Sequence, residues 1–299
     1  MTRQVTVFQV DAFTRELFAG NPAGVVLGAE ELETATMQTL ARELNHTDTA
    51  FVLPADGNDH DLRLRFFTPE NETGFVGHAT VAAHIALLAV GGGRPGVVRQ
   101  RSSTGLYEVE VRDGAHPTVS VAYPAPQLLP PLGDRERSML LDAMGLSSVA
   151  LDARCPLSIA RRTNTRLMIG LREPEALAAL SPDREALKRL SAHLGADSYF
   201  AFVRDAHGPA TTAARLFCPH HPRPEDPVSG NAHGMLGAYL VSHGLLPVRA
   251  GRASFTGRQG ESLGRPGEVG VEIEGESGHP RRVRISGTAR IVYQATLTL

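Results

Sequence analysis

Asp226-Pro-Val-Ser-Gly-Asn-Ala-His-Gly-Met-Leu-Gly-Ala-Tyr-Leu240 has an earlier echo in Gly77-His-Ala-Thr-Val-Ala-Ala-His-Ile-Ala-Leu-Leu88. In both stretches a glycine turn opens an apolar helix rich in small residues, and a strand ending in proline precedes it. The strands agree as well: Leu64-Arg-Phe-Phe-Thr-Pro69 against Ala214-Arg-Leu-Phe-Cys-Pro219. The chain therefore reads as two copies of one strand–loop–helix unit. A helix N-terminus presents unbonded amides and a partial positive charge, so a pair of such termini facing each other would hold an anionic ligand.

Around these two motifs the pattern is of many short strands with one apolar helix per half. Strands are expected at 5–10, 24–27, 49–53, 62–67, 97–101, 106–112 and 118–123, with helices at 31–44 and 79–90. The proline-rich run Pro124-Ala-Pro-Gln-Leu-Leu-Pro-Pro131 reads as an interdomain linker. Beyond it come helices near 135–144 and 183–194 and strands near 157–160, 166–170, 198–203 and 213–218. Short strands with a single apolar helix in each half point to an α+β fold of two similar domains. Each is a mostly antiparallel sheet wrapped around a central helix rather than a doubly wound parallel sheet. The expected domains are 1–126 and 127–285.

Bulk properties exclude several function classes. At 299 residues the chain is long enough for two cores, and its 42% hydrophobic and 21% charged content is that of a globular protein. A formal net charge of -2 offers nothing for nucleic acid or an anionic membrane surface. Lys188 is the single lysine and lies on a charged helical run, which speaks against a Schiff-base cofactor such as pyridoxal phosphate. Cys155 and Cys218 are too few for a disulfide framework. No apolar run is long enough to span a bilayer, and residues 4–11 read as a strand with no signal-peptide character. The expected protein is soluble and cytoplasmic.

Several motifs have plainer readings than their chemistry. Gly91-Gly-Gly-Arg-Pro-Gly96 satisfies Gly-x-Gly-x-x-Gly, but a helix precedes it where a dinucleotide site needs a strand. His220, His221, Glu225 and Asp226 lack a ligand spacing for a metal. Ser229 has no nucleophile elbow around it. Asn21-Pro-Ala-Gly24 alone is a turn that Asp11 and Asn21 would fix by local bonds. Glu43 stands near the end of an amphipathic helix, where an acid opposes the helix dipole, yet a solvated carboxylate remains the plainer reading. Asp226 could be a turn residue, and His78 a satisfied core histidine.

The combination is more specific than its parts. Asp11-Ala-Phe-Thr14 with Gly20-Asn-Pro-Ala-Gly24, then Ala41-Arg-Glu-Leu-Asn-His-Thr-Asp-Thr-Ala-Phe-Val52, then Phe67-Thr-Pro-Glu-Asn-Glu-Thr-Gly-Phe-Val-Gly-His78, then Glu225-Asp-Pro-Val-Ser-Gly-Asn-Ala-His233 resemble, in order, the phenazine-biosynthesis PhzF family. Gln259-Gly-Glu-Ser-Leu-Gly-Arg-Pro266 is similar to that family's late Gln-Gly…Gly-Arg-Pro element.

The resemblance implies the diaminopimelate-epimerase-like fold, with residues 286–299 returning to complete the first domain and a homodimer as the assembly. It implies Glu43 as the catalytic acid/base, with Asp226 and His78 as the other polar catalytic groups. Gly77, Ala79, Ser229, Gly230, Asn231 and Asn21 would bind a small-molecule carboxylate substrate. In the phenazine enzyme this machinery isomerises trans-2,3-dihydro-3-hydroxyanthranilate by moving a proton, with neither metal nor organic cofactor. Related racemases place a cysteine before each glycine turn. Val76 and Ser229 occupy those positions here, which excludes a two-thiol racemase. Asn231 stands where the phenazine enzyme has serine, so the substrate is left open. Two further readings stand beside the isomerase: a single-base amino-acid epimerase or dehydratase using Ser229, and a catalytically silent metabolite-binding protein.

Overall fold

A computed structural model describes residues 3–205, 208 and 211–299. In chain order the first part runs β1 (Gln4–Ala12), β2 (Asn21–Leu27), α1 (Thr34–Leu44), β3 (Asp48–Pro54), β4 (Leu62–Phe67), β5 (Glu72–Thr73), α2 (Gly77–Ala89), β6 (Gly96–Ser102), β7 (Gly105–Arg112) and β8 (Thr118–Pro124). The next part runs β9 (Gln127–Leu128), α3 (Asp134–Met144), β10 (Ser158–Arg161), β11 (Thr165–Leu171), α4 (Pro174–Ala178), α5 (Arg184–Leu194), β12 (Ser198–Arg204), β13 (Thr211–Phe217) and β14 (Glu225–Asp226). Then follow α6 (Gly230–Ser242), β15 (Arg252–Gln259), β16 (Gly267–Glu276), β17 (His279–Gly287) and β18 (Ala289–Thr298). Two compact units result: Met1–Ala122 with Ser286–Leu299, and Tyr123–Ile285.

In the first unit strand alternation assigns each side chain to one of two helices. On one face Val7, Val26, Phe51 and Phe67 pack with Met37 and Leu40 of α1. On the other, Phe8, Val25, Ala50 and Phe66 pack against Ala79, Ala82, Ala83 and Ala86 of α2. Successive residues of a strand point to opposite faces, so the pairs Val7/Phe8, Val25/Val26 and Phe66/Phe67 each serve both helices. The last strand, β18, pairs antiparallel with β1 from Gln4↔Thr298 to Ala12↔Ala289. α2 packs against β1, β2, β3 and β18. Nothing on it faces water between His78 and Ala86, which is the condition of a helix apolar all round.

The second unit repeats this plan. Tyr199, Ala201 and Val203 of β12 join Leu140, Met144, Leu187 and Leu190 from α3 and α5. Their neighbours Phe200 and Phe202 turn the other way, edge-on to His233 and Tyr239 of α6. The proline-rich run does not act as a free linker. Gln127 and Leu128 form β9, paired with Arg161 and Ala160 of β10, because the prolines sit beside the paired residues and leave their amides available. The first helix starts at Thr34, three residues later than expected. The short helix α4 adds to the expected elements; Pro174 at its first turn is the signal for it. No described helix is long and apolar enough to cross a membrane.

The proline-ended strands match in contact as in sequence. Arg65 grips Glu72 of β5 with Nε and Nη2 at 2.8 and 2.7 Å, and its guanidinium lies 5.1 Å from the Phe67 ring centroid. Arg215 grips Glu225 of β14 at 2.8 Å twice, 4.9 Å from the Phe217 centroid. A two-bond fork to carboxylate is the strong, oriented form of this ion pair. In each unit it pins the two-residue strand that leads into the glycine turn.

Glycine is what lets α6 be enclosed. A Cβ on Gly234 would stand 2.2 Å from the Tyr123 hydroxyl and 2.8 Å from Val283 Cγ1. Gly234→Ala gains about 1 kcal/mol of helix propensity but forces strand side chains apart at a cost of roughly 1–3 kcal/mol. A lower midpoint in urea unfolding is the expected result.

Candidate active site

In the first unit the site grows from the end of α1 and the start of α2. Asn45 closes α1 in the left-handed region, φ 52°, and the chain turns through His46 and Thr47 into β3. Asp48, the first residue of β3, is buried at 8% exposure, and its Oδ2 lies 3.5 Å from Nε2 of His78. His78 is the second residue of α2 and is also buried. Burial, with the His46 ring adding to it, holds the His78 imidazole down to about 4. The ring is therefore neutral at pH 7. Asn21, at the start of β2, is fully buried, and Asp11 fixes the loop before it by accepting the Phe18 amide at 2.9 Å. The amides that open α2 have no capping side chain, because its N-cap is Val76. Gly77, His78 and Ala79 thus offer the unbonded donors of a helix start.

Further along α2, His84 Nε2 meets Gln100 Oε1 at 3.0 Å, and Gln100 Nε2 donates to Thr80 Oγ1 at 3.3 Å. Burial pushes His84 down to about 4, against the hydrogen bond that its Nε2–H donates to Gln100 Oε1.

Glu43 falls elsewhere. It lies on the exposed face of α1, and the buried carboxylate beside His78 is Asp48, five residues on. The sequence motif contained both acids. Distance from the helix end could not choose between them, since a side chain's loss of water is settled by what packs over it.

In the second unit a glutamine holds the turn. Gln259, 1% exposed at the end of β15, accepts from the Ser229 amide at 3.2 Å and donates to the Asp226 carbonyl at 2.6 Å. That gives the late Gln-Gly element a structural task. Gly260 beside it has φ +97°, and a Cβ there would sit 2.1 Å from the Arg265 carbonyl. Unlike Val76, Ser229 caps its helix: its Oγ accepts from the Ala232 amide at 3.3 Å. Asn231 donates through Nδ2 to Asn164 Oδ1 at 3.0 Å. Gly230 is buried, and Asp226 is half-buried at the end of β14. Burial, with the Asp226 carboxylate adding to it, pushes the Cys218 thiol up to about 12, and burial likewise lifts Cys155 to about 11. Both thiols stay protonated, and neither precedes a glycine turn. Among the described residues no group of three or more His, Cys, Asp or Glu could hold a metal ion.

Two sheet-enclosed helices, each opened by a glycine turn and each in its own unit, define an α+β protein of the diaminopimelate-epimerase-like fold. A hydroxyproline epimerase from Agrobacterium vitis shares this fold, with a TM-score of 0.66 at 14% identity over 99% of this chain and 92% of that one. A PhzF-family phenazine biosynthesis protein from Bacillus anthracis is nearer in structure, with a TM-score of 0.89 at 25% identity over 99% and 100%. The profile of the PhzC-PhzF family, described as phenazine biosynthesis-like protein, matches residues 10–295. The uncharacterized isomerase YddE of Escherichia coli K12 is 38% identical over 291 residues, 97% of each chain. The trans-2,3-dihydro-3-hydroxyanthranilate isomerase of Pseudomonas fluorescens is 32% identical over 295 residues, 97% of this chain and 98% of that one. The chain belongs to the PhzC-PhzF family and is an isomerase.

The buried histidines fix a pH dependence. An unfolded histidine takes up a proton near pH ~6.5, whereas His78 and His84 resist it down to about 4 and His233, also buried, to about 3. Below pH ~6.5 the unfolded chain binds protons that the folded chain does not, so stability falls as the pH drops from there towards 4. The loss is on the order of 3 kcal/mol for a ring whose pKa is depressed to about 4. The urea midpoint should be lower at pH 4.5 than at pH 7. His84→Gln, which cannot titrate, should flatten that profile.

Proposed function

We propose that this protein isomerises a small ring or amino-acid-like metabolite bearing a carboxylate, by carrying one proton from one carbon to another. Asp48 is the proton carrier in this reading. The observation behind it is the Asp48–His78 pair at 3.5 Å, both side chains buried at the uncapped start of α2. A carboxylate with little water around it is a better general base than a solvated one. A neutral His78 stands beside it without neutralising it, its Nε2 making no hydrogen bond.

Asp48 breaks the substrate C–H bond and takes the proton. The electron pair shifts along the adjacent double bond, and the same carboxyl group returns the proton at the far carbon. Charge that develops on substrate oxygen is stabilised by the amides of Gly77, His78 and Ala79. Asp226, Ser229, Gly230, Asn231 and Asn21 are the further residues that the family resemblance implies in binding and orienting the substrate. The substrate class is supported by the Pseudomonas fluorescens relative, whose name gives trans-2,3-dihydro-3-hydroxyanthranilate. A homodimer is part of the same reading and rests on the family resemblance, and a cytoplasmic location is part of it too.

The test is incubation with trans-2,3-dihydro-3-hydroxyanthranilate in D2O, followed by NMR. Wild type is expected to place deuterium at a ring carbon as the double bond moves. Asp48→Asn should lower the rate about 10²–10⁴-fold, while Glu43→Gln stays within a few-fold of wild type. The reverse ranking would hand the role to Glu43. Deuterium at a stereocentre without double-bond movement would make the protein an epimerase.

A further inference from the structure

Arg166, the second residue of β11, is among the most buried charged side chains of the second unit, at 8% exposure. A guanidinium has five N–H donors. On Arg166, Nη1 meets the thioether Sδ of Met235 at 3.7 Å, a weak acceptor, and Nε is buried with no hydrogen-bond partner. The unit treats its other sheltered arginines differently. Arg215 has its fork on Glu225 and three carbonyls around Nη1, and Arg204, whose Nε is also buried without a partner, has a carboxylate oxygen of Asp152 3.4 Å from its Nη2. An enclosed guanidinium lacking an oxygen partner is an unfavourable arrangement that a bound anion would relieve.

Its surroundings place that anion. Asn231 and Met235 are four apart on α6 and so share one face. Asn164 bonds Asn231 at 3.0 Å, and Arg166, two residues further along the same chain, meets Met235. The start of β11 therefore runs alongside the first turns of α6. With Nη1 seated on Met235, the unbonded edge of the guanidinium is Nε with Nη2, enclosed in the fold and in the side-on geometry that fits both oxygens of a carboxylate. The Asp226 carboxylate acts on the guanidinium only at longer range.

We propose that Arg166 is the carboxylate anchor of this enzyme, taking the substrate's carboxylate side-on through Nε and Nη2 beside the first turn of α6. The inference rests on the reading of the substrate as a carboxylate, and makes Arg166 the group that selects an acid over its uncharged analogue.

The test is calorimetric titration with 3-hydroxyanthranilate and with 2-aminophenol, which lacks the carboxylate, alongside thermal melts without ligand. Wild type should bind the acid. Arg166→Met should bind it more than tenfold more weakly, bind 2-aminophenol within twofold of wild type, and melt at the same temperature or higher. Arg166→Lys keeps the charge without the fork and should fall between wild type and Arg166→Met. A structural arginine would instead lower the melting temperature and weaken both ligands together, which would overturn the proposal. So would unchanged binding of the acid by Arg166→Met, or no binding of the acid by wild type. If the arginine dependence holds while wild type moves no deuterium, the anchor stands and the proton-transfer reading falls.

Discussion

Enclosing a helix on all sides is the constraint from which the rest of this molecule follows. α2 and α6 carry buried residues around their whole circumference, so side chains must be small for the strands to approach. Alanine serves α2 and glycine serves α6, where a methyl group on Gly234 or Gly237 would run into the surrounding strand side chains. Enclosure has a second consequence. The backbone amides at each helix start are polar groups held close to the interior, and they need partners. At those starts lie the buried Asp48–His78 pair of the first unit and the Gln259 clamp and Ser229 cap of the second.

The two copies of the unit have kept their scaffold and changed their polar fittings. Arg65–Glu72 and Arg215–Glu225 are the same fork in the same place, each with its arginine by a phenylalanine ring. Beyond them the copies part. In the first unit a glutamine, Gln100, satisfies His84 and Thr80 inside the fold, the helix start is uncapped, and the acid–imidazole pair lies beside it. In the second, Gln259 clamps the glycine turn and Ser229 caps the helix.

Much of the fold was legible because its signals are local. The two glycine turns, the small apolar helices and the period-two strands are properties of neighbouring residues, and from them α2, α6 and the positions of most strands can be read. Where local signals mislead, the reason is tertiary pairing. Prolines 124, 126, 130 and 131 read as a linker, yet Gln127 and Leu128 between them form a strand because β10 is there to pair with.

The site was legible as a set of motifs and only partly as a set of roles. By itself the sequence determined the repeat, the loss of both thiol positions, and the presence of His78, Asp226 and the glycine turns, since these are matters of residue type and spacing. Tertiary structure alone decided which carboxylate is sheltered, Asp48 rather than Glu43. It alone showed that Arg166 is enclosed without an oxygen partner while Arg215 has several. Burial and hydrogen-bond satisfaction depend on residues far away in sequence that come to lie over a side chain. The proton affinity and anion affinity that make a residue functional depend on them too.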